Sequence, residues 1–489
     1  MTPIFDLEFT PDAMRAMADA VVRRCVDHVA TLESQPIVGA IHDTAFVRSL
    51  DPRPPAAPRP LDAVLDLLFD DCIPRSYTAS SPGYLAYIPG GGVYPAALAD
   101  FIADTTNRYT GIWQAAPALV QLESHALDWL RDWMGFPETT RGLFTTGGSM
   151  ASFNAILCAR ERHLGPDIRL GTLYTSDQAH HCVWKAAKLA GILPDRVRML
   201  PTDDRFRLRL DALADAVARD RADGLRPFAV VSNAGTTNTG AVDPLESIAD
   251  FCAAEGLWHH VDGAYGAFFN LCEDGRRTLA GMSRADSLTL DPHKGLFLPY
   301  GTGALLVRDG AALRAAHEAT GDYMPAMPHP DEFYDPSQHG PDLSRGFPGL
   351  RVWMAVQLYG MDAYRAAVAE KRALALEACA RVAALPGIVI DAPPELSLFA
   401  FHVTWPGATR EEEDAATRAL MERTTARGRV MVTGAATRVR YVGRVCVLSF
   451  RTHAKQIDAL IEDMAAALDE AQSSRVQSSR VQSSKAGQL

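Results

Sequence analysis

Short apolar runs alternate with apolar positions at helical spacing between about residue 140 and residue 308. The short runs are typical of buried strands. They cover 170–175, 196–200, 227–232, 257–261, 286–290 and 303–307. The helical spacing predicts helices between most of them, at 181–190, 210–223 and 244–255. Strands and helices that alternate in this way form a mostly parallel sheet with both faces covered, and such sheets bind ligands beyond the carboxyl ends of their strands.

A helical segment precedes the sheet region. Residues 12–33 place apolar side chains at helical spacing, which predicts an amphipathic helix whose apolar face packs against this chain or another. Residues 51–60 contain five prolines and therefore form an irregular strap instead of a helix or strand. A second helix is expected at 61–72.

A long irregular stretch follows the last predicted strand. Residues 309–348 are rich in Pro, Gly, Asp and His and have little periodicity. A structureless connection of this length is uncommon in a compact domain, and functional loops are the usual exception. Helical spacing resumes near Leu350 and continues past Lys371. Residues 375–468 then have the pattern of a smaller α/β region that ends in a helix at 454–468.

These patterns divide the chain into four parts. The tail repeats Ser-Ser-Arg-Val-Gln and cannot bury a core, so we expect it to be disordered. The predicted parts are an N-terminal helical segment over 1–80, a large domain over 81–370, a small α/β domain over 371–470 and a disordered tail over 471–489.

The composition of the chain narrows the range of partners and locations that fit it. Of the 489 residues, 47% are hydrophobic and 22% are charged, as in ordinary globular proteins. The formal net charge of −11 argues against nucleic acid or an anionic membrane surface as a partner, so small molecules are expected. The 8 cysteines lack ligand spacing, which predicts neither a zinc site nor disulfides. With no basic leader and no apolar run near the roughly 20 residues of a membrane span, a cytoplasmic location is expected.

The most informative string joins a predicted strand to Pro292, His293 and Lys294. A lysine at a strand end can form a Schiff base, because a desolvated amine with a lowered pKa is a nucleophile toward an aldehyde. Taken alone, Lys294 is more simply a surface lysine after a strand. Its neighbours in the predicted sheet favour the chemical interpretation.

Three further features support this interpretation; the first two follow predicted strands, and the third precedes a predicted helical stretch. Asp262 could keep the pyridinium nitrogen of pyridoxal phosphate (PLP) protonated. His180 could lie flat on an aromatic ring. Residues 145–150 form a glycine-rich turn before a helical stretch at 151–162, where free N–H groups could bind a phosphate. Each feature alone also fits a turn or a helix cap.

Taken together and in order, five motifs resemble the group II PLP-dependent decarboxylases, and the aromatic L-amino-acid decarboxylases most of all. The motifs are Gly-Gly-Ser (147–149), Ser-Asp-Gln-Ala-His (176–180), Gly-Thr-Thr (235–237), His-Val-Asp-Gly-Ala-Tyr (260–265) and Asp-Pro-His-Lys (291–294). The resemblance runs from roughly residue 10 to 465. It implies fold type I and a homodimer in which the helices at 12–33 exchange across the interface.

The resemblance also implies roles for individual residues. Lys294 carries the cofactor, Asp262 pairs with its ring nitrogen and His180 stacks on its face. The phosphate contacts are Gly148, Ser149, Met150 and His293, and the ring contacts are Thr236 and Ala264. The adjacent pairs His180–His181 and His259–His260 indicate no metal site, because neighbouring side chains point in different directions.

The sequence departs from the family at informative places. The family often has Asn before Pro-His-Lys and Trp after it, where this chain has Asp291 and Gly295. An acidic residue near a phosphate is electrostatically unfavourable unless it points away or is hydrogen-bonded. Aromatic pocket positions of the aromatic decarboxylases fall on Ile88 and Ile112, and a threonine falls on Gly90. The expected substrate pocket comprises Tyr87, Ile88, Ile112 and Trp113.

The resemblance further implies that a tyrosine on a mobile loop protonates Cα after carbon dioxide leaves. Counting back from Ser344 to Trp353, which resemble the family's sequence after that loop, places Tyr334 nearest the expected position, about two residues away. Tyr323 and His339 remain alternatives.

The expected reaction is decarboxylation of an L-amino acid, with aromatic substrates favoured. Three alternatives stay open: an aldehyde synthase on the same scaffold, a PLP lyase or aminotransferase, and a PLP-binding homologue without activity. The residue at the proton-donor position of the loop distinguishes the aldehyde synthase from the decarboxylase, because tyrosine favours simple decarboxylation whereas phenylalanine or histidine favours the oxidative branch.

Overall fold

A sheet of seven strands lies at the centre of the chain in the computed structural model, which describes residues 7–319, 321, 327 and 332–486. Its strands are β1 (Arg141–Thr145), β2 (Gly171–Ser176), β3 (Val197–Leu200), β4 (Arg226–Asn233), β5 (Trp258–Asp262), β6 (Ser287–Leu290) and β7 (Gly303–Val307). Their order is β1-β7-β6-β5-β4-β2-β3. Strands β2 to β6 pair in parallel, and β7 is antiparallel to β1 and β6. The predicted mostly parallel sheet is confirmed, and β1 is an additional strand that the sequence did not indicate.

Helices cover the sheet and extend beyond it. They are α1 (Pro11–Ala30), α2 (Thr44–Ser49), α3 (Leu61–Asp66), α4 (Tyr94–Thr106), α5 (Pro117–Trp133), α6 (Gly148–His163), α7 (Cys182–Leu189), α8 (Leu210–Ala222), α9 (Leu245–Glu255), α10 (Glu273–Thr278), α11 (Pro292–Gly295), α12 (Gly310–His317), α13 (Pro348–Tyr359), α14 (Met361–Ala383), α15 (Arg410–Ala426) and α16 (Ala454–Ala486). The predicted helix at 61–72 is α3 followed by a wider π-helical turn, Leu67–Cys72.

Apolar burial on both faces explains the sheet. Strands β2, β5, β6 and β7 are buried along their whole length, as expected for parallel strands between two layers of helices. Helix α6 packs on the sheet through small side chains, among them Ala151, Ala155 and Ala159, which let the helix approach closely. This close approach brings the first turn of α6 to the edge where the strands end.

A second, smaller sheet follows α14. Its strands are β8 (Ile388–Ala392), β9 (Leu398–Val403), β10 (Thr433–Ala436) and β11 (Tyr441–Cys446), all paired antiparallel in the order β10-β11-β9-β8. Helices α14, α15 and α16 share a buried apolar cluster with this sheet. The smaller α/β region is therefore present where the sequence predicts it.

A long helix lies near each end of the chain. Helix α1 buries no residue, and its Val22 and Val26 are 41% and 45% exposed. Helix α16 runs beyond the predicted end at 468 and enters the segment 471–489 that we expect to be disordered; the proposed division into domains stays a prediction. Within the described residues, no helix has the length and apolar character needed to cross a membrane.

Candidate active site

The carboxyl ends of neighbouring parallel strands meet at a cavity of about 490 Å³. Asn233 pairs with Asp262, and Asp262 pairs with Thr289, so the ends of β4, β5 and β6 are level. The lining residues are Tyr84, Tyr87, Ile88, Thr146, Gly147, Gly148, Ser149, His180, Cys182, Asn233, Gly235, Thr237, Asp262, Ala264, Tyr265, Asp291, His293, Lys294 and Tyr300. The cavity lies at the edge of the sheet where parallel sheets bind ligands.

The structure brings most of the predicted site residues together here. Those that line the cavity are Tyr87, Ile88, Gly148, Ser149, His180, Asp262, Ala264, His293 and Lys294. Those that do not line it are Met150, Thr236, Ile112, Trp113 and Tyr334. The glycine-rich turn, His180, Asp262 and Lys294 therefore form one site.

Lys294 forms an ion pair within the cavity. Its Nζ lies 2.8 Å from Oδ2 of Asp291, three residues earlier at the start of α11. Burial lowers the pKa of Lys294, but the charge and hydrogen bond of Asp291, with a smaller contribution from Asp262, outweigh burial and raise that pKa above its usual value. The sequence-based expectation of a lowered lysine pKa was wrong for the chain alone, because it considered burial without the carboxylate at 291.

Asp262 is held at the end of β5. The backbone N–H of Ala264 donates a 3.1 Å hydrogen bond to its Oδ1, and the Sγ of Cys182 lies 4.0 Å from its Oδ2. The side chain is buried with 8% exposure. A buried, oriented carboxylate of this kind can stabilise a cation in front of it.

His180 lines the same cavity as Lys294, on the segment before α7. The N–H of Cys182 donates to its Nδ1 at 3.3 Å, so the proton of the neutral ring is on Nε2. Burial lowers the pKa of His180, and the nearby charge of Asp262 opposes this effect. A neutral ring lining the cavity has an apolar face and one N–H donor, at Nε2.

The first turn of α6 offers an anion site. No side chain caps this helix, so N–H groups of its first turn are free to bind a ligand. A Cβ at position 148 would lie 3.0 Å from the Cβ of Ala264 and 3.2 Å from Oδ2 of Asp291, so a larger residue would require these neighbours to shift. The N–H of Met150 is not free in this way, because it donates a hydrogen bond to the carbonyl of Gly147.

In the Gly-Thr-Thr motif, the residues that face the cavity are the neighbours of Thr236 and not Thr236 itself. Gly235 has φ of +96°, and a Cβ there would lie 2.5 Å from the ring of Tyr265. Gly235 and Thr237 line the cavity, whereas Thr236 is 1% exposed and hydrogen-bonds to Thr239. The motif indicated the right segment, and the tight turn decides which of its residues face the site.

Several lining residues had no sequence signal of their own. Cys182 lies on a predicted helix and Asn233 directly follows a predicted strand, but neither belongs to a catalytic pattern. Tyr84 and Tyr300 come from distant parts of the chain, and tyrosines are common in ordinary cores. A Cβ at position 90 would lie 2.6 Å from the carbonyl oxygen of His293, so glycine lets this loop pack closely against α11.

The remaining predicted residues lie elsewhere in the chain. Trp113 stacks on Phe333, with ring centroids 4.4 Å apart, and Ile112 directly precedes it. Tyr334 is in the core, with its ring 4.8 Å from that of His339, and burial raises the pKa of its hydroxyl above the usual value. Tyr323 lies outside the described residues.

The geometry fits PLP. The cavity volume is within the usual range for a small-molecule site, roughly 300–1,000 Å³. The glycine turn suits a phosphate, Asp262 suits a protonated ring nitrogen and Lys294 suits an aldehyde. These features define a PLP enzyme with the architecture of fold type I.

Comparison with known proteins gives the family. The pyridoxal-dependent decarboxylase conserved domain matches residues 46–404, so the chain belongs to the pyridoxal-dependent decarboxylase family. It is an amino-acid decarboxylase with PLP as its cofactor.

Individual relatives cover almost the whole chain. An aromatic-L-amino-acid decarboxylase of Bacillus atrophaeus is 31% identical over 96% of this chain and 98% of its own. A phenylacetaldehyde synthase of Arabidopsis thaliana is 27% identical over 94% of this chain and 96% of its own. The crystal structure of Oryza sativa TDC with PLP and tryptamine superimposes with a TM-score of 0.91 at 27% identity, covering 96% of this chain and 100% of that one.

Proposed function

We propose that the enzyme converts an aromatic L-amino acid to its amine and carbon dioxide. The observation that carries the substrate class is the cavity lining: Tyr84, Tyr87, Ile88 and Tyr300 are apolar or aromatic, and no arginine lines the cavity among the described residues. An acidic substrate would require an additional cation, whereas an aromatic side chain gains from burial against these rings. The similarity to an aromatic-L-amino-acid decarboxylase supports this choice.

The roles of the site residues are part of this proposal. Lys294 bonds to the cofactor, Asp262 keeps a proton on the ring nitrogen and His180 covers one face of the ring. Gly148, Ser149 and His293 hold the phosphate, the first two through the open turn of α6, and Ala264 lies beside the ring; Met150 and Thr236 do not line the cavity and have no contact in this proposal. When bound, the cofactor accepts the electron pair that remains as carbon dioxide leaves.

Proton return to Cα completes the reaction. We propose that the donor lies within 321–346, with Tyr334 as the prediction from sequence spacing and Tyr323 and His339 as alternatives. Tyr334 does not line the cavity of its own chain, so the segment must rearrange, or meet the cavity of a second chain, before this hydroxyl can act.

A substrate screen tests the proposal. The purified enzyme with PLP is incubated with each standard L-amino acid, and carbon dioxide, amine and aldehyde are measured separately. We expect tryptophan, phenylalanine and tyrosine to give carbon dioxide and equal amine. Preference for glutamate or aspartate would contradict the aromatic assignment, and no carbon dioxide from any amino acid would contradict decarboxylation.

A second candidate is oxidative deamination to an aldehyde. The similarity to a phenylacetaldehyde synthase favours it, together with the position of Tyr334 away from the cavity. The same screen decides between the two: aldehyde, ammonia and peroxide that appear only in air identify the oxidative reaction.

We also propose a cytoplasmic homodimer. The exposed valines of α1 support the dimer, because they leave apolar surface in water although Arg24 and His28 of the same helix contact the turn that follows α3. The 8 free cysteines support a reducing compartment. Sedimentation of the purified enzyme and fractionation of cells that contain it test the two statements separately.

A further inference from the structure

Tyr87 has an uncommon backbone conformation at the wall of the cavity. Its φ is +51°, in the left-handed region that residues other than glycine rarely adopt, because the Cβ crowds the backbone there. Tyr87 and the next residue, Ile88, both line the cavity. Neighbouring side chains of an extended chain point to opposite sides, so the left-handed turn at Tyr87 accounts for two consecutive side chains that face the same space.

The segment that leads to Tyr87 is bound to the smaller α/β region. The N–H of Leu85 donates to the carbonyl of Met431 at 3.0 Å, and the N–H of Cys446 donates to the carbonyl of Leu85 at 3.0 Å. The N–H of Tyr87 itself donates to Oγ1 of Thr433 at 3.2 Å. The smaller α/β region therefore holds this segment as far as the cavity wall.

Arg444, on β11, makes the last of these contacts. Its Nη2 donates to the carbonyl of Tyr87 at 2.8 Å, and its Nη1 donates at 3.4 Å to Oγ1 of Thr433, its partner across β10 and β11. Arg444 is 4% exposed, and its Nε has no hydrogen-bond partner among the described residues. Burial lowers the pKa of Arg444, and the groups that oppose this effect are a thiol and two phenols instead of a carboxylate. A buried charge is costly unless it is hydrogen-bonded, so the acceptors at Tyr87 and Thr433 fix where this guanidinium lies.

We propose that Arg444 is a positioning residue for substrate binding, which holds Tyr87 in the left-handed conformation and thereby fixes one wall of the cavity. This inference rests on the proposed aromatic substrate, whose side chain meets Tyr87 and Ile88. Arg444 acts through the backbone of Tyr87, since the guanidinium itself does not line the cavity. Strained backbone of this kind persists only where the surrounding structure holds it. Without Arg444, Tyr87 returns to a negative φ, and the wall formed by the two side chains moves.

The location of Arg444 predicts an effect on substrate binding more than on bond breaking. Arg444 belongs to the small sheet, whereas Asp262 and Lys294 are at the ends of strands of the seven-stranded sheet. Loss of the guanidinium therefore leaves the lysine and the carboxylate in place and changes the surface that the substrate side chain meets. We expect a change in KM with little change in kcat, as when uniform binding is lost.

Variants at position 87 isolate the backbone effect. Tyr87→Gly and Tyr87→Ala both remove the ring, but only glycine adopts the left-handed conformation without a penalty. Arg444→Gln is combined with each of them and with Tyr87, and KM and kcat of the PLP-loaded, full-length enzyme are measured with L-tryptophan. Arg444→Lys keeps a cation without the planar pair of donors, and it carries the same comparisons if Arg444→Gln does not fold. Arg440→Gln is the matched control, because Arg440 directly precedes β11 and pairs with Glu413.

We expect Arg444→Gln to raise KM about tenfold, which corresponds to about 1.4 kcal/mol, the order of the penalty for a left-handed residue with a Cβ. The value of kcat should change by less than about twofold. The rise in KM should also appear with Tyr87→Ala and shrink to about twofold with Tyr87→Gly, because glycine keeps the turn without help. Arg444→Lys should give an intermediate KM, and Arg440→Gln the wild-type KM.

Urea unfolding provides a second readout that does not need turnover. The midpoint for Tyr87→Gly, relative to that for Tyr87→Ala, should be higher when Arg444 is present than in the Arg444→Gln background, because Arg444 imposes the left-handed conformation. The greater freedom of glycine in the unfolded chain contributes equally to both backgrounds and cancels in this comparison.

The opposite results are equally clear. Equal rises in KM with Tyr87→Gly and Tyr87→Ala would mean that Arg444 contacts the substrate directly, and would overturn the inference. An unchanged KM in Arg444→Gln, a fall in kcat alone, or a urea difference that does not depend on Arg444 would overturn it as well. A wild-type enzyme that decarboxylates no aromatic amino acid would instead contradict the proposed function, and the urea comparison would still test the role of Arg444.

Discussion

At the scale of single residues, the covalent role of Lys294 is the simplest to test. Lys294→Ala removes the only amine that lines the cavity among the described residues, so we expect no visible absorbance with PLP and a loss of turnover by several orders of magnitude. Absorbance and carbon dioxide release check the two results. Lys294→Arg is the matched control, because it keeps a cation beside Asp291 but cannot form the bond. Turnover like that of the wild type in either variant would contradict the assignment.

Asp262 acts through charge. Asp262→Asn should leave PLP bound but lower kcat by about a hundredfold or more, as when one strong electrostatic stabiliser is lost. Equilibrium dialysis gives the PLP affinity, which should change less than kcat. Asp220→Asn is the control for loss of a buried carboxylate, since Asp220 pairs with Arg198 away from the cavity. Equal, small effects on kcat and PLP affinity in Asp262→Asn would indicate a structural residue.

The sequence predicted the residues that follow strands and missed those that depend on tertiary contacts. Asp262, His180 and Lys294 were recognisable because each directly follows an apolar run, and the sheet places such residues together. Asp291 was recognised as a departure, but its pairing with Lys294 was not predicted. The spacing of three residues across the start of a short helix was the available signal. Tyr84 and Tyr300 were not predicted as site residues, because only tertiary contacts bring these distant parts of the chain to the cavity.

At the scale of elements, the pattern gave the parallel strands within about a residue at most ends. Strands β2, β5 and β6 are buried along their whole length and β4 is buried from Phe228 onward, which makes them easy to recognise. Strand β1 was not predicted, because it begins at an exposed arginine and leads directly into the glycine-rich turn. Its pairing with β7 is a contact between distant residues that periodicity cannot show.

Three residues in the segment 321–346 are candidates for the proton donor. Tyr334→Phe, Tyr323→Phe and His339→Gln each remove one proton donor and keep a similar shape. We expect one of them to lose amine sharply while carbon dioxide release falls less, because a missing acid slows protonation at Cα more than loss of the carboxylate. That variant should also form aldehyde, ammonia and peroxide in air, and little of them under nitrogen.

The three variants also provide their own controls. Sequence spacing predicts that Tyr334 is the donor, although its burial and raised pKa in the single chain oppose this role. If Tyr334→Phe forms amine at the wild-type rate, Tyr334 is not the proton donor, and Tyr323 and His339 remain as candidates. An unchanged ratio of amine to carbon dioxide in all three variants would place the donor outside this segment.

At the scale of the whole molecule, the apolar face of α1 and the position of Trp113 point to assembly. Two predicted pocket residues, Ile112 and Trp113, lie away from the cavity of their own chain. In a homodimer these residues could complete the pocket of the partner, and the valines of α1 would be covered. The proposed dimer therefore accounts for two observations that a single chain leaves unexplained.

Charge placed on α1 tests this assembly. The double substitution Val22→Lys and Val26→Lys puts two cations on a face that buries nothing within the chain, so the fold of one subunit should survive while the interface is destabilised by repulsion and desolvation. We expect sedimentation to show monomers and PLP to dissociate more readily. Val439→Lys is the matched control, because Val439 is 53% exposed and lies on the small domain, so it should remain dimeric. A stable dimer in the double variant, with unchanged PLP affinity, would show that α1 does not contribute to the interface and that its valines need another partner.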